Sequence, residues 1–476
     1  MSYAVYVGKE LTADGFGFLA GYGDEPSSHW LELVPRNSHE AHAVIEVGVT
    51  PAADMPGIRS SIPQLPETFR HLRVSYSAFL GFPAPLINGG LNEHGVAVRD
   101  VWSASSPWLI ALTPPDQHGP SYSDLARLVL ERCRTAREGV ELIGDLIARH
   151  GESTYGGNSH LIADADEAWV VIEFAGGAGL WVAERLGSLS IRVSRPGYIG
   201  IIPADFLDRD YFAGAPHLVD FAIEHGWYRT SDGPFDVNAV YGDGKGRWEG
   251  VAWMEEQLTE RAALPGGITL EDIFWAVRTD RLTGDTSGYG QVVPLLPADE
   301  HGDLRVLWHA VVGPVAAPFT PVLLGVRQVE PEFAQHRYLT AGESSVFVSS
   351  GLDGGAPESA IPPAVEATRS AVAVYKRLMY LLAEHHEVFL PEVLPVWEAV
   401  ERRCAAGLGA AIESARLLLD AGRADLAEGL LTRFSSTEML NALNLAEAMV
   451  SSMDARSRVL FDVRTSRGWR GPEILW

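Results

Sequence analysis

Cysteine is nearly absent from this 476-residue sequence, with Cys133 and Cys404 the only two. Each lies in a segment of helical periodicity, which excludes a disulfide framework or a zinc knuckle and fits a reducing, cytoplasmic setting. Basic residues are also scarce: 37 Lys and Arg face 62 Asp and Glu, a formal net charge of -25. Such a field repels phosphates, so neither nucleic acid nor an anionic membrane is expected as a partner. Long apolar runs are missing too. The longest uncharged stretch, 306–326, is broken by Gly313, Pro314, Pro318 and Pro321, and two strands with a turn explain it better than a membrane span. The opening Met1 to Leu11 has no basic segment followed by an apolar one, so a secretory signal is not expected.

Several catalytic signatures are lacking as well. There is no Gly-x-Ser-x-Gly elbow. Gly242-Asp-Gly-Lys-Gly246 lacks the spacing of a phosphate-cradling loop and reads as a flexible loop. His39 and His42 stand three apart, without the zinc-protease spacing, and read as a surface pair. No cofactor and no metal is implied.

What is present is an ordinary globular composition, 46% hydrophobic and 21% charged, which predicts a chain folded throughout. Ala4 to Gly8 and Phe16 to Tyr22, separated by Ala13-Asp14-Gly15, read as an N-terminal hairpin. Further strands are predicted at His160 to Ala163, Ala168 to Phe174, Leu180 to Glu184 and Leu189 to Val193, close enough for an antiparallel meander. Helices are predicted at Ser123 to Arg132 and Ala136 to His150, the second carrying Val140, Ile143, Leu146 and Ile147 on one face and stopped by Gly151. The irregular, Gly- and aromatic-rich stretch Arg209 to Leu264 reads as one long loop insertion or lid. From Ile361 the composition shifts to Ala, Leu, Glu and Arg, with helices predicted at Ala364 to His385, Leu394 to Ala421 and Asp425 to Ala455. The domain reading is a core over 1–349 with an insertion around 209–264, a linker at 350–363, and a helical part over 364–476 packing on the core.

The most informative position is Ser2. A Met-Ser start commonly loses its methionine, leaving a serine hydroxyl beside an α-amine with a pKa of roughly 7.7 to 8.0. That pairing supplies a nucleophile and its base in one residue, although Ser2 also fits a mere processed start. The surrounding pattern adds to it: Ser2-Tyr-Ala-Val-Tyr-Val-Gly-Lys9 followed by Asp14-Gly15, Gly90-Leu-Asn-Glu-His-Gly-Val-Ala97, Gly157-Asn-Ser-His-Leu-Ile-Ala-Asp164 and Glu167-Ala-Trp-Val-Val-Ile-Glu173. Phe221-Ala-Ile-Glu-His-Gly-Trp-Tyr228, Gly233-Pro-Phe235, Ile268-Thr-Leu-Glu-Asp-Ile273 and Leu307-Trp308 through Pro321 follow in order. This series resembles the dipeptidase and secernin family of N-terminal nucleophile hydrolases from end to end.

The resemblance implies an α+β fold, a four-layer αββα sandwich with a C-terminal helical extension, and cleavage of an amide bond in a small peptide-like substrate through an acyl-enzyme. The family's usual first cysteine corresponds to Ser2, and its acidic residue after the second strand to Asp24, which would hold the nucleophile's amine. Asp24 equally suits a turn before Pro26. The family's arginine and asparagine before that acid correspond to Gly21 and Tyr22, so a cationic clamp is missing. Its later asparagine corresponds to Ser194, a hydroxyl where an oxyanion donor is expected. Asn92 and Asn158 are further candidates for that donor; Asn92 also fits a hairpin turn, and Asn158 a strand opening. Two alternatives stay open: an acyltransferase using the same acyl-enzyme, or a catalytically silent peptide-binding member. A homo-oligomer is the default expectation.

Overall fold

The computed structural model describes residues 2–23, 29–76, 86–208, 210–279, 281–283, 287–299, 301–334 and 369–461. Its strands are mostly buried along their whole length, as strands covered on both faces must be. Ala168–Glu173, for example, is buried at every position. The strands of the two large sheets, in chain order, are β1 (Tyr3–Val7), β2 (Gly17–Gly23), β3 (His29–Val34), β4 (His71–Tyr76), β5 (Leu86–Asn92), β6 (Ala97–Trp102) and β7 (Asn158–Ala163). They continue as β8 (Ala168–Glu173), β9 (Trp181–Leu186), β10 (Ile191–Ser194), β11 (Phe212–Gly214), β12 (Tyr289–Leu295), β13 (Val306–Ala310) and β14 (Thr320–Leu323). One sheet has the order β10-β1-β2-β12-β13-β14, the other β11-β9-β8-β7-β6-β5-β4-β3. The ladders within both are antiparallel. The architecture is mixed α/β.

The predicted hairpin is present, with Val7 opposite Phe18. The predicted meander is only partly so. β7, β8 and β9 run on as neighbours, but β10 leaves them and flanks β1 in the other sheet. Alternation along a short strand sets its faces and says nothing about which sheet it joins. The 306–326 stretch forms β13 and β14, as predicted.

Helices follow from caps and apolar stripes. In α1 (Tyr122–Arg132) the Ser121 hydroxyl accepts from the Asp124 N–H while the Asp124 carboxylate accepts from the Ser121 N–H at 3.0 Å. In α2 (Ala136–His150) Thr135 accepts from the Glu138 N–H. That helix ends at Gly151, whose φ of 77° suits only a residue without Cβ. Val140, Ile143, Leu146 and Ile147 are all buried, each stabilising by about 1.5 to 3 kcal/mol as an upper estimate.

The stretch 209–264 is more regular than its composition suggests. It contains Leu218–Glu224, Val237–Tyr241 and the fourteen-residue helix α3 (Glu249–Ala262), which buries Val251, Met254 and Leu258. Apart from this stripe and Ala252, Trp253 and Ala262, the helix is mostly Glu, Gln, Thr and Arg, which masks the period. Then α4 (Leu270–Arg278) opens on a Thr269–Asp272 capping box.

The two sheets touch through side chains. Arg99 Nη2 on β6 donates to the Tyr22 carbonyl on β2 at 2.5 Å, and Gln291 Nε2 on β12 donates to the Val98 carbonyl at 3.2 Å. On the far side of the eight-stranded sheet lie α1 and α2, where Ile162 is 3.1 Å from the position a Cβ on Gly139 would take. On the far side of the six-stranded sheet, Tyr3 Oη donates to the Ala276 carbonyl of α4, and Phe274 packs edge-on against Trp308.

At the C-terminal end, α5 (Ala371–Glu384), α6 (His386–Asp420) and α7 (Ala424–Phe461) form the helical part. α6 begins earlier than predicted and carries Pro391 and Pro395 inside it, in positions from which proline is ordinarily excluded. The helices bind the core through a buried pair, Arg278 Nη1 donating to Glu401 Oε2 at 3.0 Å, while Glu401 Oε1 accepts from the Phe319 N–H at 2.8 Å. The linker read at 350–363 lies outside the described residues.

Candidate functional site at the chain start

β1 is an interior strand, paired with β10 on one side and β2 on the other. Tyr3 faces Tyr22, and on the next strand Gly23 faces Tyr289. One register step beyond Tyr3 therefore sets Ser2 opposite Gly23, in a row that ends at Tyr289. Residues alternate between faces along a strand. Tyr3 faces α4, so Ala4, and Ser2 by the same alternation, belong to the face turned toward the eight-stranded sheet. Ser2 is half-buried.

The next row on that face is Ser194, Ala4, Gly21, Gln291, His309 and Thr320, one residue from each of the six strands. All six are buried. A Cβ on Gly21 would lie 2.3 Å from the Tyr3 carbonyl oxygen and 3.1 Å from Arg99 Nε. Glycine is required by the approach of backbone on one side and a guanidinium on the other. Ser194 Oγ has no hydrogen-bond partner among the described residues.

Arg99 was not singled out by the sequence, and it is the dominant charge here. It is fully buried, with Nη1 donating to the Asn88 carbonyl at 2.8 Å and to Asp100 Oδ1 at 2.8 Å. Its guanidinium carbon sits 5.1 Å from the Tyr289 ring centroid. An adjacent charged pair, Arg99 and Asp100, inside the strand 97–102 was the available signal, because arginine is almost never fully buried unless paired. Where the resemblance led one to miss a cation at Gly21, the structure has one arriving from the opposite sheet.

The other candidates are placed differently. Asn92 is fully buried at the β5–β6 turn. Its Nδ2 donates to the Leu130 and Cys133 carbonyls at 3.1 and 2.7 Å, and its Oδ1 accepts from the His94 and Val96 N–H groups at 3.0 Å. Two of these bonds close the turn and two tie it to the end of α1. Asn158 lies on the helix-facing side of β7, where Tyr155 Oη donates to its Oδ1 at 3.0 Å. Two residues on, on the same face, His160 bonds Glu173 Oε1 through Nδ1 at 2.8 Å and the Tyr122 carbonyl through Nε2 at 2.9 Å. Burial alone lowers the His160 pKa, but the Glu173 charge and hydrogen bond outweigh it and the net shift is upward. Neither asparagine is brought to the chain start, whereas Ser194 is. Asp24 lies outside the described residues, directly after Gly23. Among the described residues no group of three or more His, Cys, Asp or Glu is placed to hold a metal ion, and no helix is long and apolar enough to cross a membrane.

Residues 85–248 match the family model described as Peptidase family C69. That segment contains Asn92, Asn158 and Ser194 but not Ser2. Among curated proteins, a probable dipeptidase B of Lactococcus lactis is 33% identical over 127 residues, covering 26% of this chain and 26% of that protein. A probable dipeptidase of Latilactobacillus sakei is 24% identical over 247 residues, 50% of this chain and 48% of the relative. Dipeptidase A of Lactobacillus helveticus is 29% identical over 128 residues, 27% and 26% respectively. The aligned parts thus span about a quarter to a half of these relatives. Among solved structures, a mutant conjugated bile acid hydrolase from Clostridium perfringens is similar over 65% of this chain and 89% of its own, at 12% identity and a TM-score of 0.27.

Proposed function

We propose that the protein is a peptide-bond hydrolase of the N-terminal nucleophile type, acting on dipeptide-like substrates through Ser2. The observation that carries this reading is the register of Tyr3 opposite Tyr22 in an interior strand, which, continued by one residue, brings Ser2 beside Gly23 on the face toward the second sheet. The C69 match and the dipeptidase relatives support the reaction class. Contacts of α1 and α2 on one sheet and α4 on the other support a four-layer αββα core over 1–349, with 364–476 as its helical extension.

In this mechanism Met1 is removed first. The free α-amine of Ser2 takes the hydroxyl proton as Oγ attacks the scissile carbonyl, then returns it to the leaving amine as the C–N bond breaks. Water, deprotonated by the same amine, opens the ester and regenerates the hydroxyl. Asp24 holds the amine, and the Ser194 hydroxyl donates to the oxyanion. Intact-mass measurement should find the chain lacking its methionine. Ser2→Ala should lower kcat/KM on a dipeptide panel to background, about 10³-fold or more. Equal turnover by the parent and the variant refutes the nucleophile.

A further inference from the structure

Three buried polar atoms sit together in the row next to Ser2 without partners among the described residues: Gln291 Oε1, His309 Nδ1 and His309 Nε2. Gln291 and His309 are directly opposite each other on β12 and β13, and both are buried. Buried polar groups are satisfied in the great majority of native structures, so a pair with three open atoms calls for a bound group. The amide orientation is fixed, because Gln291 Nε2 donates to the Val98 carbonyl, which can only accept. Oε1 is therefore an acceptor. Burial and the neighbouring His29 hold the His309 imidazole down to about 3, so it stays neutral and offers one donor and one acceptor. Gly89, on the facing sheet, brings its backbone close against this amide: a Cβ there would lie 2.9 Å from Gln291 Oε1.

We infer that Gln291 and His309 form a recognition subsite for a neutral hydrogen-bonding group on the substrate, a side-chain carboxamide or hydroxyl. This deepens the peptidase reading and rests on it for the position of the scissile bond. Gln291 lies two strands from Ser2 and His309 three, both one row further on, so their backbones are about 12 and about 16 Å from that of Ser2. The Ser2, Gln291 and His309 side chains reach into that gap from its ends, and a substrate residue with a polar side chain spans the remainder. A carboxylate, which only accepts, finds a single donor among the three atoms, whereas a group that both donates and accepts matches the set. An apolar side chain leaves all three open.

The test compares Gln-Ala with Met-Ala, and Asn-Ala with Leu-Ala, as substrates of the full chain. The parent protein should favour the polar member of each pair by about tenfold or more in kcat/KM, as sites built to hydrogen-bond a substrate do. Gln291→Met and His309→Leu should bring both ratios toward one, with His309→Phe replacing the second variant if it does not fold. Calorimetric binding of the same four dipeptides to Ser2→Ala should rank them in the same order. No preference in the parent protein, or a preference that survives in folded variants, overturns the subsite and leaves the three atoms to internal water. Full turnover by Ser2→Ala defeats only the nucleophile, because the ratios can still be read.

Discussion

At the scale of single residues, Asn92 and Ser194 illustrate two fates of one polar signal. Asn92 spends its whole hydrogen-bonding capacity on the turn and on the end of α1. Asn92→Ala is therefore expected to destabilise the protein by about 2 to 4 kcal/mol, since four buried groups lose their partner. Urea unfolding measures this, and the kcat/KM of whatever remains folded should stay within a few-fold of the parent's. The hairpin reading was legible in Leu-Asn-Glu-His-Gly, because an asparagine side chain that bonds the backbone two residues on is a local device. The side of a sheet taken by Asn158 was not, for it depends on which neighbours cover each face. Arg99, Gln291 and His309 were passed over for a related reason. Gln291 and His309 are each a lone polar residue in an apolar strand, Arg99 has only Asp100 beside it in its own, and only the cross-strand register brings Gln291 and His309 into one row.

At the scale of elements, local chemistry marked ends well and partners poorly. Ser121, Thr135 and Gly151 fixed the limits of α1 and α2 to within a residue of the reading. The destination of β10 and the early start of α6 depended on tertiary packing, which overrides local signals. The join between α4 and α6 was invisible for the same reason, since Arg278 and Glu401 are 123 residues apart. Their pairing makes a definite demand. Glu401→Ala leaves a buried guanidinium without its carboxylate and should cost about 3 to 5 kcal/mol in chemical denaturation. The double change Arg278→Met with Glu401→Leu should recover most of that loss, because a well-packed apolar pair can replace a buried ionic one. If the double variant is no more stable than the single one, desolvation is not the governing cost.

At the scale of the whole molecule, the acid limb of stability should carry the mark of buried histidines. Burial, reinforced by Arg73, pushes His71 down to about 4, and burial with His29 pushes His309 down to about 3. Between those values and the unfolded value near 6.5, the unfolded chain binds more protons than the folded one. Each group's contribution is therefore intact above roughly pH 6.5 and is lost as pH falls toward its folded value, at up to about 1.4 kcal/mol per pH unit. Melting temperatures of His71→Gln and the parent from pH 7 to 4 should converge on acidification. A constant gap across that range would remove His71 from the account. The broad organisation, strands around an inserted helical pair and then a helical end, could be read from composition and period alone. The pairing of the two sheets around Arg99 could not. One practical consequence comes from the position of β1 between β10 and β2. An affinity tag fused ahead of Ser2 would have to thread out from the middle of a sheet and would cap the very amine under study, so recombinant work on this protein should place its purification handle elsewhere.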